Sequence, residues 1–236
     1  MSRIYSYPFG KELKVTNETV NLTPYTFFKN GKIWERPSLE YFYQEVQKRT
    51  DKINILDIGA QTGLYTLFAK FLPNADFYSF EPYKPSFEQL NNNVKLNEIT
   101  NVKTFNLAIS NKKEIKTLKV PYNHKGLNTL GDNPVRFEKN SYENIVVETD
   151  TIDNLFFEKN IKIDFIKCDI EGWEYFMLQG AKKTINKWKP DLFLEFNPDN
   201  MTQCNIDPEQ FNNYINNILN YKLIKVVDEE RYYISK

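Results

Sequence analysis

Short apolar runs alternate with longer segments of helical spacing along most of this chain, and that alternation restricts the fold more than any other feature. "INILDIG" is a β-branched run, and "LYTLFAKFL" carries apolar residues at helical spacing until Pro73 stops it. "DFYSFEP" reads as a second strand, "PSFEQLNNNVKLNE" as a helix and "NVKTFNLAIS" as a third strand. Later come the strand "KIDFIKCD", the helix "EYFMLQGAKKTINKW", the strand "PDLFLEF", the helix "PEQFNNYINNILN" and two short strands, "YKLIKVV" and "RYYIS". Such alternation implies right-handed βαβ units and an α/β fold, a mostly parallel, doubly wound sheet covered on both faces. The tight turn "DEE" between the last two strands suits an antiparallel hairpin at the sheet edge.

Two stretches depart from the rhythm. Residues 1–50 are mixed and aromatic-rich and read as a small N-terminal cap; in "RPSLEYFYQEVQKR", Leu39, Phe42, Tyr43 and Val46 fall at helical spacing behind Pro37 and Ser38. Residues 51–236 form the main domain, and about 111–150 are an insertion in it, where "EIKTLKVP" and "NIVVETDTI" read as extra strands flanking the loop "YNHKGLNTLGDNP". Lysine plus arginine (31) balances aspartate plus glutamate (31), so no global field draws nucleic acid or an anionic membrane. Two cysteines, Cys168 and Cys204, make neither a disulfide framework nor a zinc knuckle. The start "MSRIYSYPFG" lacks the apolar stretch of a signal peptide and no run approaches membrane-spanning length, so a reducing cytoplasm is the expected setting.

"ILDIGAQTG" ends the first strand with Asp57 and enters a turn containing Gly59 and Gly63, where the backbone can pass close to a ligand. The spacing G-x-x-x-G is neither the dinucleotide fingerprint nor a P-loop, which disfavours pyrophosphate. The second strand ends in Glu81, 18 residues beyond Gly63, where an acid can accept hydrogen bonds from both hydroxyls of a ribose. The pair favours an adenosine ligand over the alternative of an ordinary surface acid before a proline.

"DIGAQTG", "FEP", "LNNNVKLN", "LAIS", "DTIDNL" and "DFIKCDIEGWEYFMLQGA" occur in that order and together resemble the FkbM-type methyltransferases. These are a branch of the S-adenosylmethionine-dependent class with a Rossmann-like, class I sheet. The similarity runs from about Trp34–Glu35 to about Phe196, and the D-x-E-G-x-E block joined to L-x-G-A is its most specific part. The family usually has Asn where Gln61 stands, so the amide is kept but lengthened. The resemblance implies that Asp57, Gly59, Ala60, Gln61 and Gly63 border the methionine part of the cofactor, with Asp169 on the same side. It implies further that Glu81 holds the ribose and that Leu107, Ala108 and Ile109 lie beside the adenine.

The apolar run Ile163, Phe165, Ile166 ends in Asp169 and Glu171. Burying charge is expensive unless something pairs with it, so these acids are expected at a sheet edge facing a ligand. Glu195 ends the neighbouring strand. An anion beside a sulfonium favours the ground state over the transition state, so stabilising the cofactor cannot be the whole purpose of the three. A carboxylate that takes the proton from an alcohol nucleophile contributes typically ~10²–10⁴-fold, and Asp169, Glu171 and Glu195 are candidates for that base. Asp169, Glu195 and Asn197 could instead hold a hard divalent cation through oxygen ligands. Metal-free chemistry is favoured because no tight carboxylate motif of known metal spacing is present, and both readings stay open. Glu174 reads as a complement to a helix N-terminus. His124, the only histidine, sits in the insertion loop; a solvated side chain is the usual state there, and folded over the site it would be a further base. Glu35 matches a recurrent family acid and, with Tyr122 and Trp173, is a candidate acceptor contact, core packing being the stronger alternative for Trp173.

The expected activity is O-methyl transfer to a sugar hydroxyl in glycan or nucleotide-sugar biosynthesis. The resemblance alone implies that acceptor class, because family members methylate sugars and also natural-product hydroxyls. A small-molecule O-methyltransferase and a non-catalytic cofactor-binding module are the alternatives. The expected partner is a small-molecule or carbohydrate acceptor, with a homodimer allowed and neither nucleic acid nor membrane.

Overall fold

Near the N-terminus, Ser2–Tyr7 (β1) and Lys11–Thr16 (β2) pair antiparallel across a turn in which Phe9 and Gly10 take φ of 63° and 67°. The computed structural model describes residues 2–16, 28–29, 32–33, 35–122, 126–132 and 141–236. A second, short hairpin joins Phe28–Lys29 (β3) to Lys32–Ile33 (β4), and helix α1 spans Arg36–Gln47. Leu39, Phe42, Tyr43 and Val46 line the buried side of α1, as their spacing requires. The first hairpin shares that core: Tyr7, Leu13 and Val15 are buried in the same cluster. Asn97 fastens it, accepting from the Lys14 N–H at 2.9 Å and donating to the Lys14 carbonyl at 2.7 Å.

The central sheet is built from Ile53–Ile58 (β5), Ala75–Phe80 (β6), Val102–Phe105 (β7), Phe165–Cys168 (β11), Asp191–Glu195 (β12), Tyr221–Val227 (β13) and Glu230–Ser235 (β14). Its seven strands lie in the order β13-β14-β12-β11-β5-β6-β7; β12, β11, β5, β6 and β7 are parallel, and β14 and β13 are antiparallel at the edge. Successive side chains go to opposite layers. Ile53, Ile55, Phe165 and Phe193 join the cluster under α1, whereas Leu56, Ile58, Ile166, Cys168, Leu192 and Leu194 join the other. Both faces are covered, which is why these runs are apolar almost throughout.

Three segments differ from their sequence patterns. "LYTLFAKFL" forms a short 3₁₀ segment, Thr66–Phe71, instead of an α-helix; Thr66 turns its hydroxyl inward to Asp57 and Ser79. "NVKTFNLAIS" is not one strand. Asn106 donates to the carbonyls of Glu81 and Pro82 where β7 ends, and Ala108–Ile109 (β8) leaves to pair with Tyr142–Asp150 (β10). With Glu114–Pro121 (β9) these make a separate three-stranded sheet, β8-β10-β9, so the inserted strands do form. Lastly, "EYFMLQGAKKTINKW" breaks at Ala181 into Glu174–Gly180 and Lys182–Trp188. A Cβ on Gly180 would lie 2.1 Å from the Ser110 carbonyl oxygen, so the helix passes too close to the chain after β8 to stay regular. The helix Lys84–Leu96 runs between β6 and β7 as its pattern predicts. Among the described residues no helix is long and apolar enough to cross a membrane.

Candidate active site

The carboxyl ends of β5, β6, β11 and β12 meet along one rim, and the strand-end acids stand there. Gly59 takes φ 76°, and a Cβ on it would lie 1.9 Å from the Asp169 carbonyl oxygen. Only glycine lets the turn after β5 press against the chain after β11. The N–H groups of that turn are used internally. Gly59 and Ala60 both donate to the Phe80 carbonyl, at 3.1 and 3.0 Å, and Gly63 donates to Ala60 at 2.8 Å. Gln61, itself left-handed at φ 48°, donates to Glu81 Oε2 at 2.9 Å. With those four donors committed, the turn is unlike a phosphate cradle and suits a nucleoside without phosphate. The Gln61 side-chain amide lies against Gly126, bringing the insertion over the turn.

Glu81, at the end of β6, also accepts from the Tyr83 N–H through Oε1 at 2.8 Å. Burial pushes its carboxyl up to about 7, and the Tyr83 and Gln61 N–H groups hold it from rising further. Each oxygen keeps a lone pair beyond its backbone bond, which is what gripping a diol requires. Leu107, Ala108 and Ile109 follow close by, with Ala108 and Ile109 buried on β8.

Behind the turn is a buried ion-pair group that sequence reasoning missed. Lys167 stands in β11 directly opposite Asp57 in the parallel register. Its ammonium lies 3.5 Å from Asp57 Oδ1 and 3.9 Å from Asp169 Oδ2, donates to the Gly59 carbonyl at 3.3 Å, and sits 4.7 Å from the centre of the Tyr65 ring. Burial alone lowers the pKa of a lysine. Here the attraction of Asp57, Asp169 and Glu35 outweighs it and holds the lysine charged. Asp57 is fully buried, and its Oδ2 accepts from the Thr66 hydroxyl at 2.6 Å, so it supports the turn from beneath. A cation inside an otherwise apolar strand was the available signal, because a buried lysine needs acids across the ladder.

The remaining acids gather around Asp169. Asn200 donates one amide group to Glu171 Oε2 at 2.7 Å and to Glu195 Oε1 at 2.9 Å. Glu195 is buried with Oε2 lacking a hydrogen-bond partner; burial, then the charges of Glu171 and Asp169, push its carboxyl well above the carboxylate range. Glu174 accepts from the Ile170 N–H at 2.7 Å, and burial raises it to about 8. Glu230, on β14, accepts from Ser38 and is raised to about 9 by burial and by Glu35. Two groups, Glu35–Asp169–Glu230 and Asp169–Glu174–Glu195, bring carboxylate oxygens within 4.8 Å of one another. Asn197 is placed differently from its expected part as a metal ligand. Its oxygen accepts from the N–H groups of Asp199 and Asn200 and caps the helix Pro198–Gln203. Asp169 is the carboxylate common to both groups, and 25% of its side chain is exposed.

The expected acceptor contacts separate. Glu35 is at the rim, accepting from the Tyr65 hydroxyl at 3.3 Å. Trp173 is a core residue: its indole N–H donates to Ser110 at 3.0 Å and its ring packs on Phe176 at 4.1 Å. Tyr122 is 52% exposed at the end of β9. His124 lies outside the described residues.

Solved structures share this fold. A methyltransferase FkbM from Methylobacillus flagellatus KT superposes with a TM-score of 0.55 at 20% identity over 84% of this chain and 48% of its own, so the chain spans about half of that protein. A putative caffeoyl-CoA O-methyltransferase from Staphylococcus aureus gives 0.54 at 12% identity, covering 86% of this chain and 85% of its own. No curated protein sequence matches the chain. At these identities the structures speak for the fold alone. The family model described as "Methyltransferase FkbM domain" matches residues 57–223, from the buried aspartate of β5 into β13, and so takes in the carboxyl ends of β5, β6, β11 and β12. A match over well more than half of the chain, on a sheet of this strand order, settles the family: this protein belongs to the FkbM-domain methyltransferases.

Proposed function

We propose that the protein methylates a hydroxyl oxygen of a sugar, with Asp169 as the base and S-adenosylmethionine as the methyl donor. The residues present fit that cofactor. The N–H groups of Gly59, Ala60, Gln61 and Gly63 are bonded within the protein, Glu81 is an acid at the ribose position, and the rim is acidic, as suits a cationic ligand. Bound there, the cofactor supplies an electrophilic methyl group on a sulfonium. Gly59, Ala60, Gln61 and Gly63 would line its methionine part, Glu81 would accept from the ribose hydroxyls, and Ala108 would border the adenine.

The observation that carries the choice of base is the difference in exposure among the acids. Glu174, Glu195 and Glu230 are buried and pushed toward the neutral form, whereas Asp169 is partly exposed and faces Lys167. A carboxylate that reaches solvent at the rim can take a proton from an incoming hydroxyl, for a gain of typically ~10²–10⁴-fold. Glu171 is held by Asn200 and would orient the acceptor. The sugar reading is supported by the Glu35 carboxylate beside the rim, which can hydrogen-bond a polyol. Incubating purified protein with S-adenosylmethionine and a panel of sugars, nucleotide sugars and phenolic alcohols, and measuring S-adenosylhomocysteine, tests it. Release only with phenolic alcohols would refute the sugar acceptor, and no release across the panel would refute the activity proposed.

A further inference from the structure

We propose that Lys167 sets the charge beneath the cofactor turn and thereby determines how strongly the protein prefers S-adenosylmethionine over its demethylated product. The inference rests on the proposed cofactor site and goes beyond it to a residue that touches no reacting atom. Asp57, Lys167 and Asp169 form one group across the β5–β11 ladder, with the ammonium between the two carboxylates and bound to the carbonyl of Gly59. Asp57 and Lys167 are sealed from solvent, the Tyr65 ring covering the ammonium, so water screens their charges poorly. One ammonium set between two carboxyl groups gives the floor of the turn a formal charge of minus one.

S-adenosylmethionine and S-adenosylhomocysteine differ by one methyl group and one positive charge. The net charge of the floor therefore acts on the first and hardly on the second. Two uncompensated carboxylates would hold the sulfonium firmly, and attraction lost as the methyl leaves favours the ground state over the transition state. Lys167 offsets half of that attraction. Its partners also explain why a lysine is tolerated in a buried parallel strand, since without them its ammonium would be buried unpaired.

Calorimetric dissociation constants for the two ligands test this without an acceptor, the readout being the ratio Kd(S-adenosylhomocysteine)/Kd(S-adenosylmethionine). Asp57→Asn removes a negative charge and keeps the lysine, and lowers the ratio about tenfold, as expected for one unit charge acting through a partly screened interior. Lys167→Met, measured at pH 8, raises the ratio by about the same factor. The double variant Asp57→Asn/Lys167→Met restores the net charge, and its ratio returns to within about threefold of the original. Should Lys167→Met fail to fold with Asp57 stranded, Asp57→Asn and the double variant still decide. If both ligands weaken in parallel, so that the ratio stays within twofold in the folded variants, Lys167 is only a brace and the proposal is overturned. Absence of binding of either ligand to the unaltered protein would instead remove the cofactor reading, and this inference with it.

Discussion

Replacing Gly59 by alanine measures how much of the site depends on the close approach between the turn after β5 and the chain after β11. The new Cβ would stand 1.9 Å from the carbonyl oxygen of Asp169, a backbone atom that no rotamer change can move aside. Reaching even a 3.0 Å contact requires the two segments to part by roughly 1 Å. Left-handed backbone at φ 76° adds a cost of ~1–2 kcal/mol for a residue with a Cβ. Gly10 supplies the control, because it has φ 67° and nothing within 4 Å of its own Cβ position. Gly10→Ala therefore carries only the conformational cost, and its melting temperature falls by about 3 °C. Gly59→Ala carries that cost and the separation of the segments, together about 4 kcal/mol, and its melting temperature falls by about 10 °C. A 1 Å displacement at a ligand-lining turn costs function by roughly a hundredfold, read here as the calorimetric affinity for S-adenosylhomocysteine. If the two variants melt within 2 °C of each other and Gly59→Ala binds that ligand as tightly as the unaltered protein, the close approach has no bearing on the cofactor site.

Other consequences are equally direct. Asp169→Asn lowers turnover on any accepted substrate by about 10²–10⁴-fold and leaves S-adenosylhomocysteine affinity within about threefold, by kinetics and calorimetry. Asn200→Ala strips the donor shared by Glu171 and Glu195, which costs ~1–3 kcal/mol for the buried group and lowers the melting temperature by about 5 °C. Glu81, Glu174 and Glu230, raised to about 7, 8 and 9, keep protons that the unfolded chain has already released. Stability therefore falls as pH rises from the ordinary carboxylate range toward about 9, and the protein melts at a higher temperature at pH 6 than at pH 9.

The parts of the site that were legible in the sequence are those in which a single residue type at a single place has one physical use. Gly59, Glu81 and Asp169 mark strand ends where a run of apolar residues stops, and a stop of that kind needs no partner to be seen. The parallel, doubly wound sheet was legible for a similar reason, since alternating strands and helices connect by right-handed crossovers. Lys167 was read only as a letter inside an apolar run, because its meaning depends on Asp57, more than a hundred residues away and opposite it only in the folded register. Asn197 offered an oxygen on paper, yet the helix that starts there takes that oxygen for its own N–H groups. Trp173 was a candidate acceptor contact with core packing as the stronger reading, and the indole hydrogen bond to Ser110 puts it in the core.

Residues close together along the chain carry their own periodicity, so the alternation of strand and helix, the glycine turn and the acids at strand ends follow from the order of amino acids alone. Which of those acids is enclosed and which reaches solvent is a matter of packing by distant segments. Glu195 and Asp169 each end a parallel strand at the same rim, but one is enclosed and the other reaches water beside a lysine. Local order names the groups; packing sets the dielectric and the company in which each must ionise, and a proton follows those.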